Sequence, residues 1–216
     1  MAVAIHQVLA TLGYGDAIGH EVLGIQRVLR GAGYDSEIFV QSADSRLEHL
    51  TQDYRDLAAE FEGQPFDAIV SIEMFEAVGR EYWDSYFDTL RRCLKPGGRV
   101  CIQSITIRDD LFERYVRSTD FIQQYIFPGG LLPSAAQFEA QAGRFGFQIE
   151  RSLAFGLDYA ETLRRWRKAF FEGAPKVREL GFDDRFMRIW QFYLAYCEAA
   201  FMRGDTNVVQ FTLRRD

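Results

Sequence analysis

The chain has 216 residues, 48% apolar and 26% charged, with a net charge of −6 and three cysteines. That length suits one α/β domain, or one with a helical subdomain, and the composition excludes disordered, collagenous and disulfide-framed chains. No apolar run reaches the roughly 18–20 residues of a membrane helix, no export signal opens the chain, and an acidic protein is a poor nucleic-acid binder, so a cytoplasmic protein is expected.

The first strand is predicted at Val3–Leu9, followed by a glycine-rich turn, Thr11–Gly19. Ile18, Val22, Ile25, Val28 and Leu29 then mark the buried stripe of a helix that Gly31-Ala-Gly33 stops. Ser36–Val40 is a second strand, giving one βαβ unit, and the polar stretch 44–62 reads as helical. Phe66–Ile72 is a near-continuous apolar run, the pattern of a strand buried on both faces of a parallel sheet. A helix striped by Tyr82, Trp83, Tyr86, Phe87, Leu90 and Leu94 follows, and Lys95-Pro-Gly-Gly98 ends it. Arg99–Ile105 is the next strand, and 108–133 reads as short helices. Ser134 and Gln137 form a capping-box pattern opening a helix to Arg144, and Phe147–Leu153 is a strand. Asp158–Phe171 and Asp183–Arg203 are amphipathic helices, and Thr206–Leu213 is a final strand with a possible antiparallel entry. This alternation predicts an α/β fold with a mainly parallel, doubly wound sheet of about six strands.

Charge is uneven along the chain. Residues 1–65 hold 4 Lys and Arg against 10 Asp and Glu, whereas residues 66–216 hold 21 of each. His6, His20 and His49 all lie in the first part, and Cys93, Cys101 and Cys197 include no CxxC pair, so no metal site is expected.

Three places carry candidate chemistry. Gly13, Gly15 and Gly19 sit between the first strand and first helix, where backbone N–H groups can cradle an anion; a plain tight turn has the same composition. Phe66–Gly79 delivers Glu73 and Glu76 at the carboxyl end of a strand, where open α/β sheets bind ligands. There a carboxylate acts as a base or orients one, although acids are also favoured at a helix start. Tyr159 follows the strand-to-helix turn Phe155-Gly-Leu-Asp at the same edge. Twelve aromatics fall between Phe155 and Phe201, a pattern shared by a helical core and an apolar substrate tunnel.

Six ordered blocks then resemble one family. They are Gln52–Leu57, Phe66–Gly79, Leu94–Gly98, Tyr125–Ser134, Phe155–Tyr159 and Phe192–Phe201, and from about residue 50 the chain resembles the cyclopropane-fatty-acyl-phospholipid synthases. The resemblance implies a Rossmann-like, S-adenosylmethionine-dependent methyltransferase with a helical lipid-side subdomain. It also implies action on unsaturated phospholipid acyl chains at the inner face of a membrane. In that family the sulfonium methyl adds to a cis double bond and a bound bicarbonate removes a proton. By position, Glu76 matches the bicarbonate-site glutamate, Tyr159 the site tyrosine and Ile105 the residue offering a backbone carbonyl. Asp53 and Tyr54 match the segment against adenine, and Gln103 stands where the family carries histidine.

The family's acid-x-Gly-Cys-Gly-x-Gly cofactor loop has no counterpart in this sequence. His6–Arg30 and Ser36–Val40 instead resemble the N-terminal domain of a GT-B glycosyltransferase, which implies a chimera joined near residues 47–66. The second strand ends without a ribose-binding acid, Asp44 being the near candidate, so weak S-adenosylmethionine binding is expected. Three readings stay open at this point: a lipid methyltransferase, a catalytically inactive remnant, and a sugar-nucleotide-binding module.

Overall fold

A parallel three-stranded sheet is built from the first residues. The computed structural model describes residues 4–14, 17–53, 55–56 and 65–216, and the chain divides into two compact units, Met1–Gln64 and Pro65–Asp216. In the first, β1 (Gln7–Leu12), helix α1 (Ala17–Gly31), β2 (Ile38–Ala43) and β3 (Gln52–Asp53) follow one another, with sheet order β1-β2-β3. Leu12, Ile38, Val40 and Leu47 form its core. Helix α1 ends where Gly33 takes φ +85° and the Tyr34 N–H returns to the Leu29 carbonyl, a turn that favours glycine.

Two expectations change here. The buried side of α1 runs through Gly19 and Gln26, with Val22 and Leu23 half-buried, while Ile18, Ile25 and Val28 are exposed. Gln26 is held there because its Nε2 donates to the Ser36 carbonyl at 3.0 Å, so a hydrogen bond overrides the apolar stripe. The stretch expected to be helical from 44 begins instead with a 3-10 turn, Glu48–Leu50, then β3; 57–64 lies outside the described residues. Gln52 and Asp53 are short of β-propensity but pair with Phe39 and Val40, a tertiary contact that sequence pattern does not carry.

The second unit holds a four-stranded sheet, order β4-β5-β7-β6, from β4 (Phe66–Ile72), β5 (Leu94–Ile107), β6 (Phe147–Ala154) and β7 (Thr206–Arg215). β4 and β5 are parallel, and β7 enters antiparallel to both β5 and β6. The described strands therefore fall in two sheets, where one of about six strands was expected. β4 is the edge of its sheet, and Val70 and Ile72 stay exposed rather than buried on both faces.

Helix α2 (Trp83–Cys93) ends as expected, but Lys95-Pro-Gly-Gly98 joins β5 as an irregular register, Phe66 pairing with Leu94 and Ala68 with Arg99. Gly97 takes φ +74° in that shift. Short helices α3 (Asp109–Val116) and α4 (Phe121–Tyr125) precede α5 (Ala135–Arg144), which Ser134 caps by accepting from the Gln137 N–H. After β6 come α6 (Gly156–Glu172), α7 (Ala174–Glu179) and α8 (Asp184–Arg203).

Strand alternation separates the two faces of this sheet. Val100, Ile102, Val209, Phe211 and Leu213 join Phe75, Phe87 and Phe138 in the larger core. Ile105 and Val208 instead meet Ala160, Leu163, Leu194 and Phe201 of α6 and α8. Six of the twelve aromatics from Phe155 to Phe201 pack in this helical layer, whereas Trp166, Phe171, Phe182, Phe192 and Tyr196 stay exposed.

Candidate active site

The site is assembled where β4 ends. Glu73 follows the strand with φ +50°, the one positive-φ non-glycine among the described residues, a conformation costing about 1–2 kcal/mol. Its N–H donates to the Gln103 carbonyl of β5 at 2.8 Å, which fixes the turn against the neighbouring strand. Phe75, fully buried, then plugs the core against Trp83, Tyr86, Phe87 and Phe138. That anchor holds the 3-10 turn Phe75–Ala77 and returns Glu76 toward β5.

Glu76 is tied on every side. Its carboxylate accepts from the Ser104 hydroxyl at 2.9 Å and the Ile105 N–H at 3.2 Å. Its carbonyl accepts from the Leu131 N–H at 2.8 Å, and the Ile105 carbonyl lies 3.1 Å from the Ser104 hydroxyl. Burial pushes the Glu76 carboxyl above the usual glutamate range and the negative charge of Glu73 adds to this, against the lowering effect of these hydrogen bonds.

A second group converges on Glu73. Gln103 Nε2 donates to Glu73 Oε1 at 2.9 Å, and the Tyr159 hydroxyl donates to the same oxygen. Gln210 Nε2 donates to Gln103 Oε1 at 2.9 Å, which turns the amide so that its NH2 faces Glu73. Burial first, and then Glu73 itself, push the Tyr159 phenol well above its ordinary value, so it remains a donor at neutral pH. Tyr159 is placed by the start of α6. The Phe155 N–H donates to the Val208 carbonyl, and the Gly156 N–H to Asn207 Oδ1 at 2.8 Å. A Cβ at Gly156 would lie 2.6 Å from that oxygen and 3.2 Å from the Asn207 Cα, so glycine is required for this approach.

Of the residues expected from sequence, Glu73, Glu76, Gln103, Ile105 and Tyr159 come together in the second unit. Ser104 and Gln210 were not anticipated. Ser104 gives no signal beyond its place beside Gln103, and Gln210 is a polar interruption of a β-branched and aromatic strand. No group of three or more His, Cys, Asp or Glu suited to a metal occurs among the described residues.

Of the residues expected near a cofactor, Glu73 lies in the second unit and Gly13, Gly15, Gly19, Asp53 and Tyr54 belong to the first. Gly13 is half-buried between β1 and α1, and Gly19 lies in the first turn of α1; Gly15 and Tyr54 are outside the described residues. Arg46 places its guanidinium 3.8 Å from the Tyr14 ring centroid and grips Asp44 with two bonds of 2.8 Å. That pairing holds Asp44 down to about 2. Asp53 is gripped in the same way by Arg55, at 2.9 and 2.5 Å, and is likewise held at about 2.

A family described as Mycolic acid cyclopropane synthetase matches residues 35–211. The chain belongs to this family. It is 43% identical over 172 residues to a tuberculostearic acid methyltransferase, UfaA1, of Mycobacterium tuberculosis, covering 79% of this chain and 39% of that protein. It is 37% identical over 167 residues to the cyclopropane-fatty-acyl-phospholipid synthase of Escherichia coli K12, covering 77% of this chain and 41% of that one. The chain therefore spans about two-fifths of the length of these relatives. Among solved structures it is similar to the mycolic acid cyclopropane synthase CmaA1 complexed with SAH and CTAB. The TM-score is 0.72 at 25% identity, over 100% of this chain and 79% of that one. The fold is thus the Rossmann-like α/β fold of these methyltransferases, as the sequence predicted.

Proposed function

We propose that the chain carries out S-adenosylmethionine-dependent methyl transfer to the double bond of unsaturated phospholipid acyl chains, at the inner face of a membrane. The observation that carries this reading is the convergence of Tyr159 and Gln103 on Glu73 beside the half-buried Glu76. Two carboxylates with fixed donors, flanked by an aromatic helical layer, suit a reaction that builds positive charge on an apolar chain and then releases a proton.

The donor chemistry of the first unit fits the cofactor. Asp44 and Asp53 are carboxylates of the kind that bind ribose hydroxyls, and Gly13 stands between β1 and α1, where a mononucleotide-binding fold keeps its cofactor loop. When bound, S-adenosylmethionine supplies an electrophilic methyl that the π pair of the double bond takes up, the S–CH3 pair remaining on sulfur. Both aspartates already hold an arginine, which supports the expectation of weak binding, roughly 0.1 mM or weaker, since each displaced charged bond costs about 1.5–3 kcal/mol.

Bicarbonate fits less well. The donors assigned to it, Gln103 Nε2 and the Tyr159 hydroxyl, are taken by Glu73 Oε1, and a further anion would join two carboxylates that already repel. In our reading Glu73 takes the bicarbonate's place. The cationic carbon left beside the new C–CH3 bond is stabilised by the negative site and the Tyr159 ring. A proton then passes to Glu73. If it leaves the added methyl, the C–H pair closes a three-membered ring; if it leaves the adjacent chain carbon, the pair forms a new double bond. Glu76, held by Ser104 and Ile105, supplies fixed negative potential to the same centre.

The test is incubation with methyl-labelled S-adenosylmethionine in the millimolar range and vesicles of an oleoyl phospholipid, followed by analysis of the released fatty acids. Oleate heavier by one CH2 group, carrying the label, is the expected result. Unaltered oleate at full S-adenosylmethionine saturation contradicts the proposal.

A further inference from the structure

The helix pair that follows Tyr159 leaves a surface the chemistry above does not use. Between Arg164 and Arg188 the chain carries eight Arg and Lys against four Asp and Glu, within a protein of net charge −6. Arg164 and Arg165 pair with Glu161, Arg167 with Glu198, Lys168 with Glu172 and Arg178 with Asp184. Arg185 and Arg188 are exposed and make no ion pair among the described residues.

Exposed apolar side chains lie on the same stretch of chain and in the grooves that these arginines line. The turn between α7 and α8 carries Leu180, 70% exposed, and Phe182, 45% exposed, on either side of Gly181 at φ +92°. Arg188 lines two shallow grooves. One, of about 290 Å³, also has Phe170, Phe171 and Met187 in its walls together with the paired Arg178 and Asp184, and the other, of about 220 Å³, has Phe121, Tyr125 and Ile189 beside Arg185. Tyr125 and Phe192 stay half-exposed, and Phe121 packs edge-on to Phe192 at 4.6 Å, so this aromatic rim is held in place. Exposed aromatics and an apolar turn around unpaired arginines match the chemistry of a lipid interface: rings at headgroup level, guanidinium on phosphate, and a short apolar wedge below them.

We propose that the Leu180–Phe182 turn and the Arg185–Arg188 face of α8 dock the protein on an anionic phospholipid bilayer. The local positive charge is what selects this occupant, because a neutral apolar partner needs no unpaired arginine and an acidic surface does. The inference rests on the lipid-methyltransferase reading and names the surface through which that site meets its substrate. The turn enters the headgroup region, and Arg185 and Arg188 hold phosphates beside the grooves. Binding strengthens with the fraction of anionic lipid and weakens with salt.

The experiment is co-sedimentation with vesicles of phosphatidylcholine alone and of phosphatidylcholine mixed with phosphatidylglycerol, at low and high salt. The wild type should bind the mixed vesicles in a salt-sensitive way. Arg185→Glu with Arg188→Glu should weaken that binding by about thirtyfold or more, roughly fivefold for each basic side chain lost at an anionic surface. Leu180→Asp with Phe182→Asp should lower it on both kinds of vesicle, and Arg185→Lys with Arg188→Lys should retain most of it. Circular dichroism confirms that each variant is folded. Equal binding by wild type and both disruptive variants overturns the proposal, as does absence of wild-type binding. A wild-type dimer that Leu180→Asp with Phe182→Asp dissolves, with vesicle binding untouched, overturns it too and makes the surface a self-interface. Turnover of detergent-dispersed lipid by the wild type separates this from the reaction itself. Turnover without vesicle binding removes the docking surface alone, whereas vesicle binding through the named residues without turnover removes the reaction alone.

Discussion

Glu73→Gln is expected to lower methyl transfer by about 10²–10⁴-fold, the usual scale for loss of a positioned acid–base group. The substitution is chosen because it preserves shape. Glutamine Oε1 can still accept from the Tyr159 hydroxyl and from Gln103 Nε2, so the three side chains keep their arrangement. What disappears is the negative charge and the ability to take a proton at the site. The backbone at φ +50° is as strained in the variant as in the wild type, so the melting temperature should scarcely move. Glu73→Gly separates the two roles further, because glycine adopts this φ freely. It should lose turnover to a similar extent while remaining folded. Full turnover in either variant would assign Glu73 to structure alone.

Glu76→Gln is expected to reduce activity on the same scale, about 10²–10⁴-fold, but with a different pH signature. Burial raises the Glu76 carboxyl above its ordinary value in the folded protein. An acid raised on folding contributes stability that is fully present below its unfolded value and is lost as pH rises through the folded one. Glutamine carries no charge and does not undergo this loss. The variant should therefore gain melting temperature relative to the wild type at about pH 8, and surrender that advantage at about pH 4. It keeps an acceptor for the Ser104 hydroxyl or the Ile105 N–H, so folding should survive. A large fall in melting temperature at every pH, with turnover intact, would show that the carboxylate serves packing and not chemistry.

Glu76 and Tyr159 were legible in the sequence because each follows a strong local signal. Glu76 comes shortly after the apolar run Phe66–Ile72, and Tyr159 directly after a strand-to-helix turn with a glycine in it. Both signals place a side chain at the carboxyl edge of a sheet, where a site forms by topology. The link between Glu73 and its donors was not legible. It depends on a left-handed backbone at a glutamate, which no propensity favours, and on strand register. Gln210 meets Gln103 across 107 residues of sequence, and only the antiparallel pairing of β5 and β7 puts them opposite each other. Register also explains the missed β3, whose two residues owe their extended form to Phe39 and Val40. In α1 the apolar stripe misled, since the buried side of the helix is set by Gln26 reaching the Ser36 carbonyl rather than by Ile18, Ile25 and Val28.

Bicarbonate dependence tests most directly the proposal that Glu73 takes the place of bicarbonate. Methyl transfer to an oleoyl phospholipid is measured in carbon-dioxide-free buffer and again with added bicarbonate, for the wild type and for Glu73→Gly. The wild type should turn over equally in both buffers, because its proton acceptor is part of the chain. Glu73→Gly should be silent without bicarbonate and partly restored with it, since Gln103 Nε2 and the Tyr159 hydroxyl are then free to hold an external anion. A wild type that loses turnover when bicarbonate is removed, and regains it on addition, contradicts the assignment of Glu73.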